Sequence, residues 1–171
     1  RMSYHLGIDT SNYTTSVALY DDASNLIISR KKLLPVKSGE KGIRQSDAVF
    51  HHTVQLPELM KSLLTDFSGE ISSIGVSVKP CNEEGSYMPC FFFVMSVAIS
   101  LSEILNVPLY QFSHQDGHIA AALYSADILS LINRDFLAFH ISGGTSQALL
   151  VKPDDYYFKT VKVSDSLDLK A

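Results

Sequence analysis

Two histidines, His114 and His118, stand four residues apart in the segment Phe112-Ser113-His114-Gln115-Asp116-Gly117-His118. On an α-helix, positions i and i+4 share one face, so both imidazoles can reach one metal ion. The same spacing also suits a helix start whose histidines are merely polar, and no third ligand lies close in sequence. Two loops carry residues suited to a different chemistry. Asp9-Thr10-Ser11-Asn12 offers a carboxylate, two hydroxyls and turn-competent amides, which can hold phosphate oxygens and a hydrated magnesium ion. In Ser142-Gly143-Gly144-Thr145-Ser146 the glycines allow close approach of the backbone to a phosphate. Either loop alone is equally an ordinary β-turn. Together, each at the turn of a β-hairpin, they read as paired phosphate loops.

The elements that must position these groups follow from periodicity. His5 to Asp9, Thr15 to Tyr20 and Leu26 to Leu34 read as three strands joined by turns, an antiparallel meander. From Ser46 the period becomes helical: Val49, Val54, Leu56, Leu59, Leu63 and Leu64 fit one face, and the helix runs to about Phe67, where Ser68-Gly69 stops it. Ile71 to Val78 is β-branched and apolar, a buried strand. Ser86 to Leu105 reads as a helix, Val107 to Phe112 as a strand, and His114 to Ser125 as a helix. Phe136 to Ser142 and Gln147 to Val151 flank the glycines as strands, and Tyr156 to Val163 is one more. Before that last strand, the order βββαβαβαββ interleaves helices with strands after a meander. That implies a mixed α/β sheet, part parallel and packed on helices.

Composition removes other classes. At 171 residues the chain suggests one domain large enough for a core. A net charge of −4 gives no basic footprint for binding nucleic acid directly, so contact with RNA would be indirect. No apolar run reaches the ~20 residues that cross a bilayer, and the N-terminus lacks the zones of a signal peptide. Cys81 and Cys90 have eight residues between them and fit no zinc-knuckle spacing. They read as reduced thiols in a cytoplasmic protein. Among the remaining candidates, His51 and His52 read as solvent-exposed, Phe91-Phe92-Phe93 as a buried helix segment, Glu83-Glu84 as a solvated loop, and His140 as a hydrogen-bonded core group.

The element order resembles one lobe of the actin, hexokinase and Hsp70 superfamily, a ribonuclease-H-like unit. Several segments resemble, in order and spacing, the family that modifies tRNA with threonylcarbamoyl-adenosine, also labelled O-sialoglycoprotein endopeptidase or glycoprotease. Leu6-Gly7-Ile8-Asp9-Thr10-Ser11 is similar to its first strand and phosphate loop, with Asp9 where glutamate is usual. Gly42 followed by His52, then Val107-Pro108-Leu109 with His114-Gln115-Asp116-Gly117-His118, resemble its Gly…His and metal segments. Phe136 to Val151, with Ser142-Gly143-Gly144 and Gln147, resembles its second phosphate loop, and Ser164-Asp165-Ser166-Leu167-Asp168 a segment leading into its second lobe.

The resemblance implies a single N-terminal lobe over residues 1–171, with a second lobe elsewhere, and Arg1 as a tag remnant. It implies a divalent metal, iron or zinc, on His114 and His118 and shared with the second lobe. It also implies ATP or an adenylate with magnesium on Asp9, Thr10, Ser11, Ser142, Gly143 and Gly144, and partner proteins of a tRNA-modifying complex. The implied chemistry is threonylcarbamoyl transfer to a tRNA adenosine, with this lobe inactive alone. The protease label finds no His-Glu-x-x-His motif. The sequence also departs from the family. The two carboxylates of the first loop are Tyr13 and Thr14 here, neutral at pH 7. The histidine after Ser-Gly-Gly is Thr145. These departures favour the alternative of a non-catalytic paralogue that serves as a binding or scaffold subunit.

Overall fold

The computed structural model describes residues 3–11, 13–36, 42–141, 146–155 and 157–166. The chain divides into two compact units, residues 1–114 and 115–171.

The first unit is built on a five-stranded sheet. Its strands are β1 (Ser3–Asp9), β2 (Thr14–Asp21), β3 (Leu26–Leu33), β4 (Glu70–Lys79) and β5 (Leu109–Ser113). Their spatial order is β3-β2-β1-β4-β5. The β1, β2 and β3 pairings are antiparallel, whereas β4 runs parallel to β1 and β5 parallel to β4. The sheet is therefore mixed, as the element order required. Two helices, α1 (Gln45–Leu64) and α2 (Pro89–Leu105), cover one face. Strand alternation puts Leu6, Ile8, Val17, Leu19, Ile74 and Val76 on that face, where they meet Leu56, Leu59 and Leu63 of α1 and Val94 and Ala98 of α2.

The helix ends differ from expectation for local reasons. Helix α1 stops at Leu64, before Phe67, because Thr65 is extended and Asp66 is left-handed at φ 64°. Gly69 is not the stop. It lies under the Tyr4 ring, where a Cβ would overlap side-chain atoms. Helix α2 begins at Pro89 instead of Ser86. Met88 before it is extended, and proline suits the first helical position, where no N–H is needed. Asn106, left-handed at φ 54°, ends α2 and displaces the next strand to Leu109.

The second unit holds most of α3 (His114–Ser125), a short 3₁₀ helix (Leu129–Asn133) that the sequence pattern does not announce, and β6 (Phe136–Ile141), β7 (Ser146–Pro153) and β8 (Phe158–Ser166). These three strands form an antiparallel sheet of their own, in the order β6-β7-β8. Its core joins Ile119 and Leu123 of α3 to Leu149, Val151 and Phe158, with Phe136 and Ala138 beside them.

Candidate functional site

Parallel strands align their carboxyl ends, and in open α/β sheets those ends are where ligands bind. Here β1, β4 and β5 run side by side. They bring Asp9, the last residue of β1, next to Ser77 of β4 and to His114, the residue directly after β5. The Asp9 carboxylate is the centre of this cluster. Its Oδ1 accepts the Ser11 amide at 2.8 Å and the Ser11 hydroxyl. Its Oδ2 accepts the Ser77 hydroxyl and meets His114 Nδ1 at 2.9 Å. Burial alone would raise the Asp9 pKa. The bond and charge of His114, with the hydroxyls of Ser11 and Ser77, outweigh burial and hold the carboxyl well below the usual carboxylate range.

The aspartate, histidine and serine are not arranged as a nucleophilic triad. A triad places the carboxylate and the hydroxyl on opposite imidazole nitrogens. Here Ser11 Oγ lies nearest Nδ1, at 2.8 Å, the nitrogen that faces Asp9, and 3.3 Å from Nε2. The arrangement instead fixes an imidazole. With Nδ1–H directed at a carboxylate, Nε2 keeps its lone pair, the pattern of a metal-binding histidine with a second-layer carboxylate. Thr10 is fully buried and donates to the Cys90 carbonyl at 3.0 Å, tying the loop to the start of α2. Ser142, Gly143, Gly144 and Asn12 lie outside the described residues.

A second polar group ties α1 to the meander. Thr15 Oγ1 donates to Gln55 Oε1 at 2.9 Å and lies 2.8 Å from His52 Nδ1, while Gln55 Nε2 donates to the Leu33 carbonyl at 3.1 Å. His52 is fully buried, against the expectation of exposure, because a threonine on the facing strand supplies an acceptor. Of the three phenylalanines, Phe91 is buried, Phe93 half-buried, and Phe92 exposed against Tyr87. Glu83 and Glu84 are exposed, and both cysteines are free thiols.

In the second unit, α3 carries Gln115, Asp116 and His118 on its first turns. Gln115 Nε2 donates to Gln147 Oε1 at 2.9 Å and lies 3.4 Å from His140 Nδ1. The His118 and His140 rings stack with centroids 5.8 Å apart. Asp116 is buried and accepts the Tyr157 hydroxyl at 3.0 Å and the Thr160 hydroxyl at 3.4 Å. Among the described residues, no three His, Cys, Asp or Glu side chains gather where one metal ion could be held. A cleft of about 680 Å³ opens at the other end of β4, lined by Leu64, Phe67, Glu70, Ile71 and Val107, and shares no residue with the Asp9 cluster.

The sequence reading named Asp9, Ser11 and His114 but did not join them. Ser77 and Asp116 it missed. A serine near the carboxyl end of the strand beside β1, one residue beyond the Ile8–Val76 pair, is the signal that could have found Ser77. Among the described residues, no helix is long and apolar enough to cross a membrane.

Solved structures with this architecture define the class. YeaZ from Pseudomonas aeruginosa superposes with a TM-score of 0.59 at 15% identity, over 97% of this chain and 67% of that one. EutJ, an ethanolamine utilization protein from Carboxydothermus hydrogenoformans, gives 0.52 at 15% identity, over 96% and 52%. The fold is that of the actin-like ATPases. Within it, residues 23–168 match the model of TsaD, tRNA N6-adenosine threonylcarbamoyltransferase, and the chain belongs to that family. The enzyme of that name from Sulfurihydrogenibium sp. is 29% identical over 171 residues, covering 95% of this chain and 47% of the relative. A probable bifunctional tRNA threonylcarbamoyladenosine biosynthesis protein from Methanothermobacter thermautotrophicus is 27% identical over 152 residues, 88% of this chain and 27% of the relative. The chain thus spans less than half the length of these two relatives.

Proposed function

We propose that this chain is the N-terminal lobe of a metal- and nucleotide-binding protein that transfers a threonylcarbamoyl group to a tRNA adenosine. The observation that carries the reading is the Asp9 carboxylate on Nδ1 of His114. That contact sets the tautomer a metal ligand needs, and the donor set fits iron or zinc on His114 and His118, one helical turn apart on α3. A divalent metal bound there supplies a Lewis acid for the donor's carbonyl. Two imidazoles are too few for a tight site, so further ligands come from a second lobe of the longer protein. Asp9 and Ser77 orient His114. The Thr10 and Ser11 hydroxyls are engaged within the fold, so the first loop shapes the nucleotide site mainly as a scaffold. Ser142, Gly143 and Gly144 bind the phosphates of ATP or an adenylate with magnesium. The protein works in the cytoplasm with partners of a tRNA-modifying complex, and meets tRNA through them.

The test is metal analysis of the purified protein with and without His114→Ala, beside a tRNA threonylcarbamoylation assay. Stoichiometric iron or zinc that is lost on substitution supports the reading, and no metal at any concentration ends it. One observation favours a second reading, a non-catalytic binding subunit. Tyr13 and Thr14 replace the family's loop carboxylates, and Tyr13 is exposed, with its carbonyl accepting the Leu34 amide at 2.8 Å. Metal binding without transfer activity would select that reading.

A further inference from the structure

We infer that the outer edge of β3 is a strand-addition site for an extended, acidic segment of a partner protein. In the order β3-β2-β1-β4-β5, β3 is an end strand, and among the described residues it pairs only with β2. The register decides which of its backbone groups face outward. The Leu34 amide donates to the Tyr13 carbonyl at 2.8 Å, which makes that opposed pair a hydrogen-bonded one. Bonded and non-bonded pairs alternate along an antiparallel ladder. The bonded series therefore continues as Thr15 with Lys32, Val17 with Arg30 and Leu19 with Ile28. The N–H and C=O groups of Ile27, Ser29 and Lys31 then point away from β2, to the open side. The Arg30 guanidinium donates to the Ser29 carbonyl at 2.9 Å, so it lies along that edge.

The side chains choose the partner. All eight residues of β3 are exposed. Leu26, Ile27 and Ile28 make one end of the edge apolar, with Leu26 61% and Ile28 52% exposed. Arg30, Lys31 and Lys32 make the other end basic. Alternation puts Arg30 and Lys32 on the α1 side, where they reach Ser62 and Glu58, and Lys31 on the other. Lys32 has Glu58 at 3.0 Å, but no carboxylate of the described residues pairs with Arg30 or Lys31. Cations on an edge guard it against strands of its own kind. A second copy on this edge would double the cations on one ladder, and like charges across strands are destabilising. The same cations attract an acidic strand. In strand addition, main-chain hydrogen bonds supply affinity and alternate side chains supply specificity. The segment that fits runs antiparallel to β3, acidic in its first half and apolar in its second. Its carboxylates then face Arg30, Lys31 and Lys32, and its apolar residues face Leu26, Ile27 and Ile28. This edge shares no residue with the Asp9 cluster, so the inference stands apart from the metal and nucleotide reading.

The test adds an acetylated octapeptide, acidic in its first half and valine–isoleucine in its second, to the full chain. Backbone amide spectra and hydrogen exchange follow binding. The amides of Ile27, Ser29 and Lys31 should shift and exchange more slowly, while those of Ile28 and Arg30, already bonded to β2, change little. Ser29→Pro removes one outward amide and leaves the β2 ladder in place, so it should weaken binding at least about tenfold. Arg30→Gln with Lys31→Gln should weaken it as well, and a peptide with lysines in place of its acids should not bind. Shifts without the alternating pattern, binding unchanged in both variants, or equal binding of the lysine peptide overturns the inference. Self-association of the chain that Ser29→Pro abolishes would assign the edge to a second copy and overturn it. Polyuridylate that displaces the peptide would assign it to nucleic acid and overturn it too.

Discussion

Asp9→Asn changes one oxygen for an amide nitrogen at the centre of the carboxyl-end cluster. The carboxylate accepts from the Ser11 amide, the Ser11 and Ser77 hydroxyls, and His114 Nδ1. Asparagine keeps one acceptor oxygen. The Ser11 amide can only donate, so that oxygen stays on the Ser11 side and the new NH2 faces Ser77 and His114. Ser77 adapts by rotating its hydroxyl. His114 can adapt only by presenting Nδ1 as an acceptor, which moves its proton to Nε2. Hydrogen bonds to a charged group contribute ~1.5–3 kcal/mol each. The carboxylate side chain is 24% exposed and the imidazole 33%, and most of the partners re-form neutral bonds. The net loss is then about 1–3 kcal/mol after discounting for solvent screening. For a chain of this size that lowers Tm by roughly 2–12 °C. Urea unfolding measures the loss, and nitrogen-15 correlation spectra of the histidine ring report the tautomer. An unchanged midpoint together with an unchanged His114 tautomer would refute the claim that Asp9 orients this imidazole.

Thr15→Val is nearly isosteric but removes the hydroxyl that serves both His52 and Gln55 in the core. It should cost about 2–4 kcal/mol, whereas Thr15→Ser should cost much less; equal losses for the two by urea unfolding would show that the hydroxyl is not what matters. Burial, and then the nearby charge of Asp116, raise the Tyr157 phenol above its ordinary range. The folded state therefore keeps a proton that the unfolded chain releases near pH ~10. The stability this proton supplies is complete below that pH and is lost as pH rises toward the folded pKa. The stability advantage of the unsubstituted chain over Tyr157→Phe should thus stay constant up to about pH 9 and shrink above pH ~10, which denaturant unfolding across that range would check. Gly69→Ala places a methyl group against the Tyr4 ring and 2.8 Å from Phe67 Cε2. It should destabilise by ~1–3 kcal/mol through overpacking, and calorimetry that finds no loss would mean the two rings move aside freely.

The sequence was most informative where one face of an element is buried. Strands β1 and β2 follow from alternation and α1 from a helical apolar face, and these patterns survive small errors at their ends. The ends themselves depend on single residues. Asp66 and Asn106 adopt left-handed backbone that asparagine and aspartate tolerate, and neither is distinguishable from a mid-helix polar residue by periodicity. Polar groups were read least well. His52 has the same neighbours in sequence as an exposed histidine would; the Thr15 hydroxyl across the strand is a partner that sequence proximity does not show. Asp9 read as a phosphate-loop residue because its sequence neighbours are hydroxyls and a turn. Its partners Ser77 and His114 lie 68 and 105 residues away, a distance no motif spans.

That long-range cluster also separates two properties the family resemblance joins. The missing loop carboxylates fall on Tyr13 and Thr14. Thr14 pairs with Leu33 and the Tyr13 carbonyl accepts the Leu34 amide, so both backbones belong to the β2–β3 ladder. The groups that orient His114 belong to β1, its following turn and β4. Neutralising the loop therefore leaves the imidazole's support intact. On this geometry, metal retention and group transfer can be lost independently. Restoring acids with Tyr13→Asp and Thr14→Glu should leave cobalt(II) affinity within about twofold, since neither proposed ligand, His114 nor His118, is touched, and any gain should appear only in the transfer assay. A large change in cobalt affinity in that double variant would mean that the loop acids act through the metal site after all.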